Sequence, residues 1–78
     1  MIKIPEKFYR AAVKQKLSPR QIEVCYCIGI GWSWKQIADE LNVSLSTVKF
    51  HAANVAKKIG VWNCVAAFAR ILHLAPLP

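Results

Sequence analysis

Residues 44–60 read SLSTVKFHAANVAKKIG. At helical period, Val48, Ala52, Val55 and Ile59 fall on one face, at i, i+4, i+7 and i+11. Lys49, Phe50, Ala53, Asn54 and Lys57 fall toward the other side. Ser44 is placed to cap the start, and Gly60 suits a left-handed stop. The stretch holds three lysines, one histidine and no acid. A helix with one apolar face and one basic, acid-free face has the shape and charge that a DNA major groove accepts. The stretch therefore reads as a recognition helix, with the rest of the chain as its support.

Immediately upstream, Ser33 and Gln36 have capping-box spacing. They open a helix from about Trp34 to Leu41, expected to bury Ile37, Ala38 and Leu41 and to leave Asp39 and Glu40 in water. Asn42 suits a left-handed turn, Val43 tucks in, and Ser44 starts the next helix. A connection this short, Asn42 to Ser44, is that of a helix-turn-helix.

Further back, Ser18-Pro19-Arg20-Gln21 supplies an N-cap, a proline at the first helical position and a second capping box. That helix runs through Ile22, Val24, Cys25 and Ile28 and is expected to stop near Gly29–Gly31, where two glycines end it by entropy. Residues 1–4 read as a frayed tail. Pro5 and Glu6 suit a helix start, and residues 5–16 are expected to turn Phe8, Ala12 and Val13 inward, with Lys7, Arg10, Lys14 and Lys16 solvated. The same segment also reads as an ordered basic arm.

Downstream, Val61 and Trp62 form a short link, and Asn63 caps a helix over about Cys64 to Leu74. Arg70 and His73 are its polar residues. A helix this apolar needs two covered faces, one against the domain and one against a second subunit or another protein. Val65, Ala69, Leu72 and His73 are the candidate partner-facing residues. Pro76 and Pro78 prevent a longer helix.

The whole composition points the same way. Seventy-eight residues make one domain with a thin core, and a hydrophobic fraction of 55% implies dense packing or a surface meant for a partner. The formal charge is +7, and the acids, Glu6, Glu23, Asp39 and Glu40, all precede residue 41. A half of one sign attracts phosphate. Cys25, Cys27 and Cys64 form neither a disulfide framework nor a zinc pattern, even with His51 and His73 added, and read as buried thiols in a reducing cytoplasm. No run approaches the ~20 apolar residues of a membrane span, and MIKIPEKFYR carries no signal peptide. A cytoplasmic protein with no metal and no cofactor is expected. So is no enzyme: there is no carboxylate pair, phosphate loop or nucleophile–base spacing, and Ser18, Ser33 and Ser44 are accounted for as caps.

LSPRQIEV (17–24), Gly31, KQIADELNVSLSTVKFH (35–51) and KKIGV (57–61) resemble the LuxR/GerE-type helix-turn-helix domain, over about residues 17–73. The resemblance implies an all-α fold of four helices, the third in the major groove and the fourth at a dimer interface. Here that domain is expected over 17–75, preceded by a short N-terminal basic helix or arm over 1–16. By position, the resemblance puts Thr47 on phosphate, Lys49, Phe50 and Ala53 on bases, and Lys57 on the backbone. Ser46 and Asn54 complete the candidate DNA-facing set. His51 matches the motif histidine and is expected as a half-buried packing residue, and Val48 as core.

Several residues depart from the family pattern. Ala53 stands where a basic or long polar residue is common, and with Phe50 it offers only apolar contact, for example to a thymine methyl. Lys49 would then carry much of the hydrogen-bond readout. Trp32 and Trp34 replace smaller or polar residues. Cys64 and Ala66 stand where an arginine and an acid often follow the cap. Family proteins usually carry a receiver or ligand-binding domain ahead of this module, and the 16 residues before Leu17 leave no room for one.

The expected function is a sequence-specific, DNA-binding transcription regulator that reads an inverted repeat as a homodimer. The alternative is a small interaction protein that pairs with a larger LuxR-type regulator through its apolar last helix and antagonises it. Trp34 and Trp62 are expected either to cover the small core or to anchor a partner. Region 4 of a sigma factor shares the proline-arginine start but fits the histidine and the last helix less well.

Overall fold

A computed structural model describes residues 2–74. Among these residues the chain is all-α, with five helices: α1 (Glu6–Lys14), α2 (Pro19–Gly29), α3 (Trp34–Leu41), α4 (Leu45–Ile59) and α5 (Cys64–Leu74). Pro76 and Pro78, expected to end the last helix, lie outside the described residues.

Local chemistry sets the boundaries. Ser18 accepts from the Gln21 amide at 3.2 Å, and Gln21 Oε1 accepts from the Ser18 amide at 2.9 Å. Ser33 and Gln36 form the same reciprocal pair at 3.1 and 2.8 Å. Each pair satisfies two amides that the first helical turn leaves without partners. Asn63 Oδ1 accepts from the Ala66 amide at 2.9 Å at the start of α5. At the C-terminal ends, Asn42 (φ 56°) and Gly60 (φ 83°) adopt the left-handed conformation.

α2 is the centre. Ile22, Val24, Cys25 and Cys27 are all fully buried. At 100° per residue they spread over most of the helix circumference, and only the side of Arg20 and Glu23 is left partly open. α1, α3, α4 and α5 each pack against it. One contact is unusually close. A Cβ placed on Gly29 would lie 2.0 Å from the Phe68 ring, so the last residue of α2 is where α5 presses against its backbone. The helix stops within the expected Gly29–Gly31 stretch: Gly29 is its last residue, and the positive φ that ends the turn belongs to Gly31, at 99°. Phe68, Phe8 and Tyr26 form a triad with ring centroids 5.2 to 5.9 Å apart, which joins α1, α2 and α5.

Three expectations are corrected. Val13 is half exposed, and Ala11 takes its place in the core beside Phe8 and Ala12. Ala11 and Ala12 follow Phe8 by three and four residues and share its face, whereas Val13 lies about 140° away round the helix. Ile2 and Ile4, expected in a frayed tail, pack against the core and line a shallow groove with Tyr9, Pro19 and Glu23. Leu41 is only partly buried, because α3 is short and its last turn meets the α3–α4 corner.

One tie was not anticipated. Lys16, after α1, has φ 65°, a left-handed conformation uncommon for a lysine. Its carbonyl accepts from Lys58 Nζ at 2.9 Å, and Gln21 Oε1 accepts from the same ammonium at 3.2 Å. Lys58 thus pins the corner between α1 and α2 to the end of α4.

Candidate nucleic-acid interface

α3, the corner and α4 form the candidate site. Val43 donates its amide to the Ala38 carbonyl at 3.0 Å, which closes the corner. Ser44 then caps α4: its Oγ accepts from the Thr47 amide at 3.1 Å and lies 2.8 Å from Thr47 Oγ1 and 3.1 Å from Ser46 Oγ. Three hydroxyls therefore gather at the positive end of α4, and its first turn holds no acid.

Along α4, Val48, Ala52, Val55 and Ala56 are buried, and Ile59 is partly buried. This seam fixes which residues face out. Lys49, Phe50, Ala53 and Lys57 are exposed, Asn54 and Thr47 half-buried, and Ser46 exposed at the start. Phe50 is 63% exposed, a large apolar ring held in water. Lys49 and Lys57 have no hydrogen-bond or ion-pair partner among the described residues, in contrast to Lys58. All the sequence-derived DNA-facing residues thus lie on α4, away from the seam or at its capped start. His51 is half-buried as expected, edge-on to Phe50 with centroids 5.9 Å apart, and its Nδ1 is buried with no partner among the described residues.

A feature the sequence did not disclose flanks this face. Trp34, Lys49, Ala53, Lys57, Trp62 and Asn63 are among the residues lining an open groove of about 520 Å³, with Ala52 and Ala56 at its base. Trp34 is 41% exposed and Trp62 is 97% exposed. Trp62 therefore does not cover the core. The signal available in the sequence was its place in the short link between Gly60 and Asn63.

The second candidate surface is on α5. Cys64, Ala67 and Ile71 are buried, while Val65, Ala69, Leu72 and His73 share an exposed face. One side of α5 packs on the domain, and the other is uncovered and largely apolar.

Two of the three thiols are held protonated, while contact with Cys25 lowers the pKa of the Cys64 thiol. Contact with Cys64, together with burial, holds the Cys25 thiol well above its ordinary range. Burial, then the charges of Glu23 and Glu40, pushes the Cys27 thiol up to about 11. No group of His, Cys, Asp or Glu among the described residues is arranged to hold a metal ion. No helix among them is long and apolar enough to cross a membrane.

Comparison with known proteins agrees with this geometry. Over 58 residues the chain is 38% identical to the transcriptional activator protein CarR of Pectobacterium carotovorum subsp. carotovorum, covering 74% of this chain and 24% of that protein. It is 46% identical over 46 residues to the transcriptional activator protein EchR of Dickeya chrysanthemi, covering 59% and 18%. It is 43% identical over 51 residues to the nitrate/nitrite response regulator protein NarP of Escherichia coli (strain K12), covering 65% and 24%. The chain thus spans about a quarter or less of the length of these three relatives. No solved structure gives a significant match. Residues 15–71, well over half of the chain, match the family described as bacterial regulatory proteins, luxR family. The chain belongs to the luxR family of bacterial regulatory proteins.

Proposed function

We propose that this chain is a cytoplasmic, sequence-specific DNA-binding transcription regulator that reads an inverted repeat as a homodimer, with α4 in the major groove. The observation that carries the reading is the outer face of α4. Lys49 and Lys57 stand there unpaired beside exposed Phe50 and Ala53, over a seam that holds the helix rigid. The names of the relatives, transcriptional activators and a response regulator, support regulation as the purpose of that binding.

In this reading Ser46 and Thr47 meet phosphate at the positive end of α4. Lys49 supplies the hydrogen-bond readout, and Phe50 and Ala53 meet thymine methyls or the groove wall. Asn54 and Lys57 complete the contact toward the backbone. Val65, Ala69, Leu72 and His73 form a self-complementary interface between two copies. That places two recognition helices about one DNA turn, roughly 34 Å, apart.

Selection of bound sequences from a random duplex pool at two salt concentrations tests the reading. Enrichment of an inverted repeat is the expected result. A steep salt dependence without enrichment would reduce the function to phosphate binding.

The uncovered apolar face of α5 also favours a second reading, pairing with a larger luxR-family regulator. A complex with such a regulator that forms without DNA and is lost on Leu72→Asp would select it over the homodimer.

A further inference from the structure

Leaving an indole in water forgoes the contact area that makes tryptophan useful in a small core. Trp62 is nonetheless 97% exposed, and it stands on the same groove as Lys49 and Lys57. The two lysines are eight residues apart on α4, which is about 12 Å along the helix. Trp34 and Trp62 line the same groove, with Ala52, Ala53 and Ala56 among its apolar lining. The charged residues that line this groove, Lys49 and Lys57, are of one sign.

We infer that Trp62 is a DNA-contacting residue, packing its indole on the sugar–phosphate strand that runs through this groove beside the recognition helix. The inference rests on the proposed placement of α4 in the major groove and deepens it. With the outer face of α4 against the bases, the flank of the helix faces one wall of the groove, and that wall is a single strand of backbone. A strand there meets the Lys57 ammonium and two indoles, with Lys49 alongside it on the bases. Lys57 neutralises phosphate, and the indoles cover the apolar faces of the deoxyriboses or of an unstacked base. Charge decides between occupants. A duplex brings negative charge to two lysines that have no partner among the described residues, whereas an apolar protein surface would leave both buried and unpaired.

The contact has a signature that separates it from those of its neighbours. Trp62 carries no charge, so its loss leaves the salt slope unchanged. A backbone contact carries no sequence information, so its loss weakens preferred and random duplexes alike. Lys57→Ala changes the slope, and Lys49→Ala changes the preference.

The experiment compares the wild type, Trp62→Ala and Trp62→Phe on the selected duplex and on a random duplex, across a salt series, with thermal unfolding as a control. The expected result for Trp62→Ala is a loss of roughly tenfold in affinity on both duplexes. The slope and the unfolding midpoint stay unchanged, and Trp62→Phe recovers part of the loss. Quenching of tryptophan fluorescence by duplex should fall in Trp62→Phe. Unchanged affinity of Trp62→Ala on a duplex that the wild type binds would overturn the inference and leave the DNA-binding reading intact. So would loss of capture of a luxR-family regulator by Trp62→Ala with DNA affinity unchanged, which would give the surface to a protein. A wild type that binds no duplex would overturn the reading and the inference together.

Discussion

α2 and α4 pack against each other, but they are enclosed differently. The buried residues of α2 spread over most of its circumference, and every other helix touches it. Those of α4 lie within one seam, and the remaining surface, Lys49, Phe50, Ala53 and Lys57, meets solvent. A helix enclosed on most sides contributes mainly to stability. A helix enclosed on one side is rigid where it is buried and free to recognise where it is not. The comparison separates the two kinds of helix by experiment: substitutions in α2 should change unfolding without changing recognition, and those on the outer face of α4 should do the reverse.

The largest effect is expected at Gly29→Ala. The new methyl would lie 2.0 Å from Cγ and Cδ1 of Phe68, the inner atoms of a packed ring, which cannot simply swing aside. Overpacking of this kind costs about 2–3 kcal/mol, only partly offset by alanine's better helix propensity. Thermal unfolding should show a midpoint lower by about 10–20 °C. In a Phe68→Ala background, itself destabilised by loss of the ring, Gly29→Ala should cost much less, because the clash is then gone. A midpoint unchanged by Gly29→Ala would mean that α2 and α5 are not in close contact, and the description of α2 as enclosed would fail there.

On the other side of the comparison, Lys49→Ala should cost about 1–3 kcal/mol in binding to the preferred duplex and relax the preference at one base position. Its unfolding midpoint should match the wild type, since Lys49 has no partner among the described residues. Competition between the selected duplex and its single-base variants measures both quantities. Retention of the full preference would remove Lys49 from the reading face.

Much of this contrast was legible in the sequence, and the reason is locality. A capping box is complete within four residues, so Ser18 with Gln21 and Ser33 with Gln36 announced α2 and α3 before any tertiary contact was known. Asn42, Gly60 and the seam of α4 are likewise properties of a few consecutive turns. What the sequence did not disclose depends on distant partners. Gly29 announces the end of α2, but not that Phe68, far along the chain, packs against it. Nothing about Lys16 announces a positive φ, and the ammonium that holds its carbonyl belongs to Lys58. Val13 and Ala11 both suit an apolar face in so short a helix, and the position of Phe8 in the core decides between them. The exposed set on α4 was legible because its seam was. Trp62 was not, because the direction of a turn, and not periodicity, exposes it.

Lys57 and Lys58 bring the comparison down to adjacent residues. Lys57 faces out with no partner, while Lys58 donates to the Lys16 carbonyl and Gln21 Oε1. Lys57→Ala should lower the salt slope of DNA binding by about 1 and leave unfolding unchanged. Lys58→Met keeps the aliphatic stem and loses the two hydrogen bonds, and should cost about 1 kcal/mol of stability. Parallel salt titrations and denaturant unfolding of the two variants give the answer. If both variants lost stability equally, the assignment of Lys58 alone to the interior tie would be wrong.

The smallest expected effect concerns titration within α2. Burial, with the nearby charges of Glu23 and Glu40, raises the Cys27 thiol to about 11 in the folded chain, against an ordinary value of 9.0. Between these values the unfolded chain has released the proton and the folded chain has kept it. The folded state then binds more protons, so stability falls as pH rises through that window. The loss from this thiol should be on the order of 1 kcal/mol between pH 9 and pH 10. Cys27→Ala should flatten that slope in denaturant unfolding series, even though the smaller side chain lowers stability at every pH. A slope that Cys27→Ala leaves unchanged would mean that the Cys27 thiol ionises in the folded chain as readily as in water. Water or counter-charge would then reach the interior side of α2, and the difference between a sealed α2 and a half-open α4 would be one of degree.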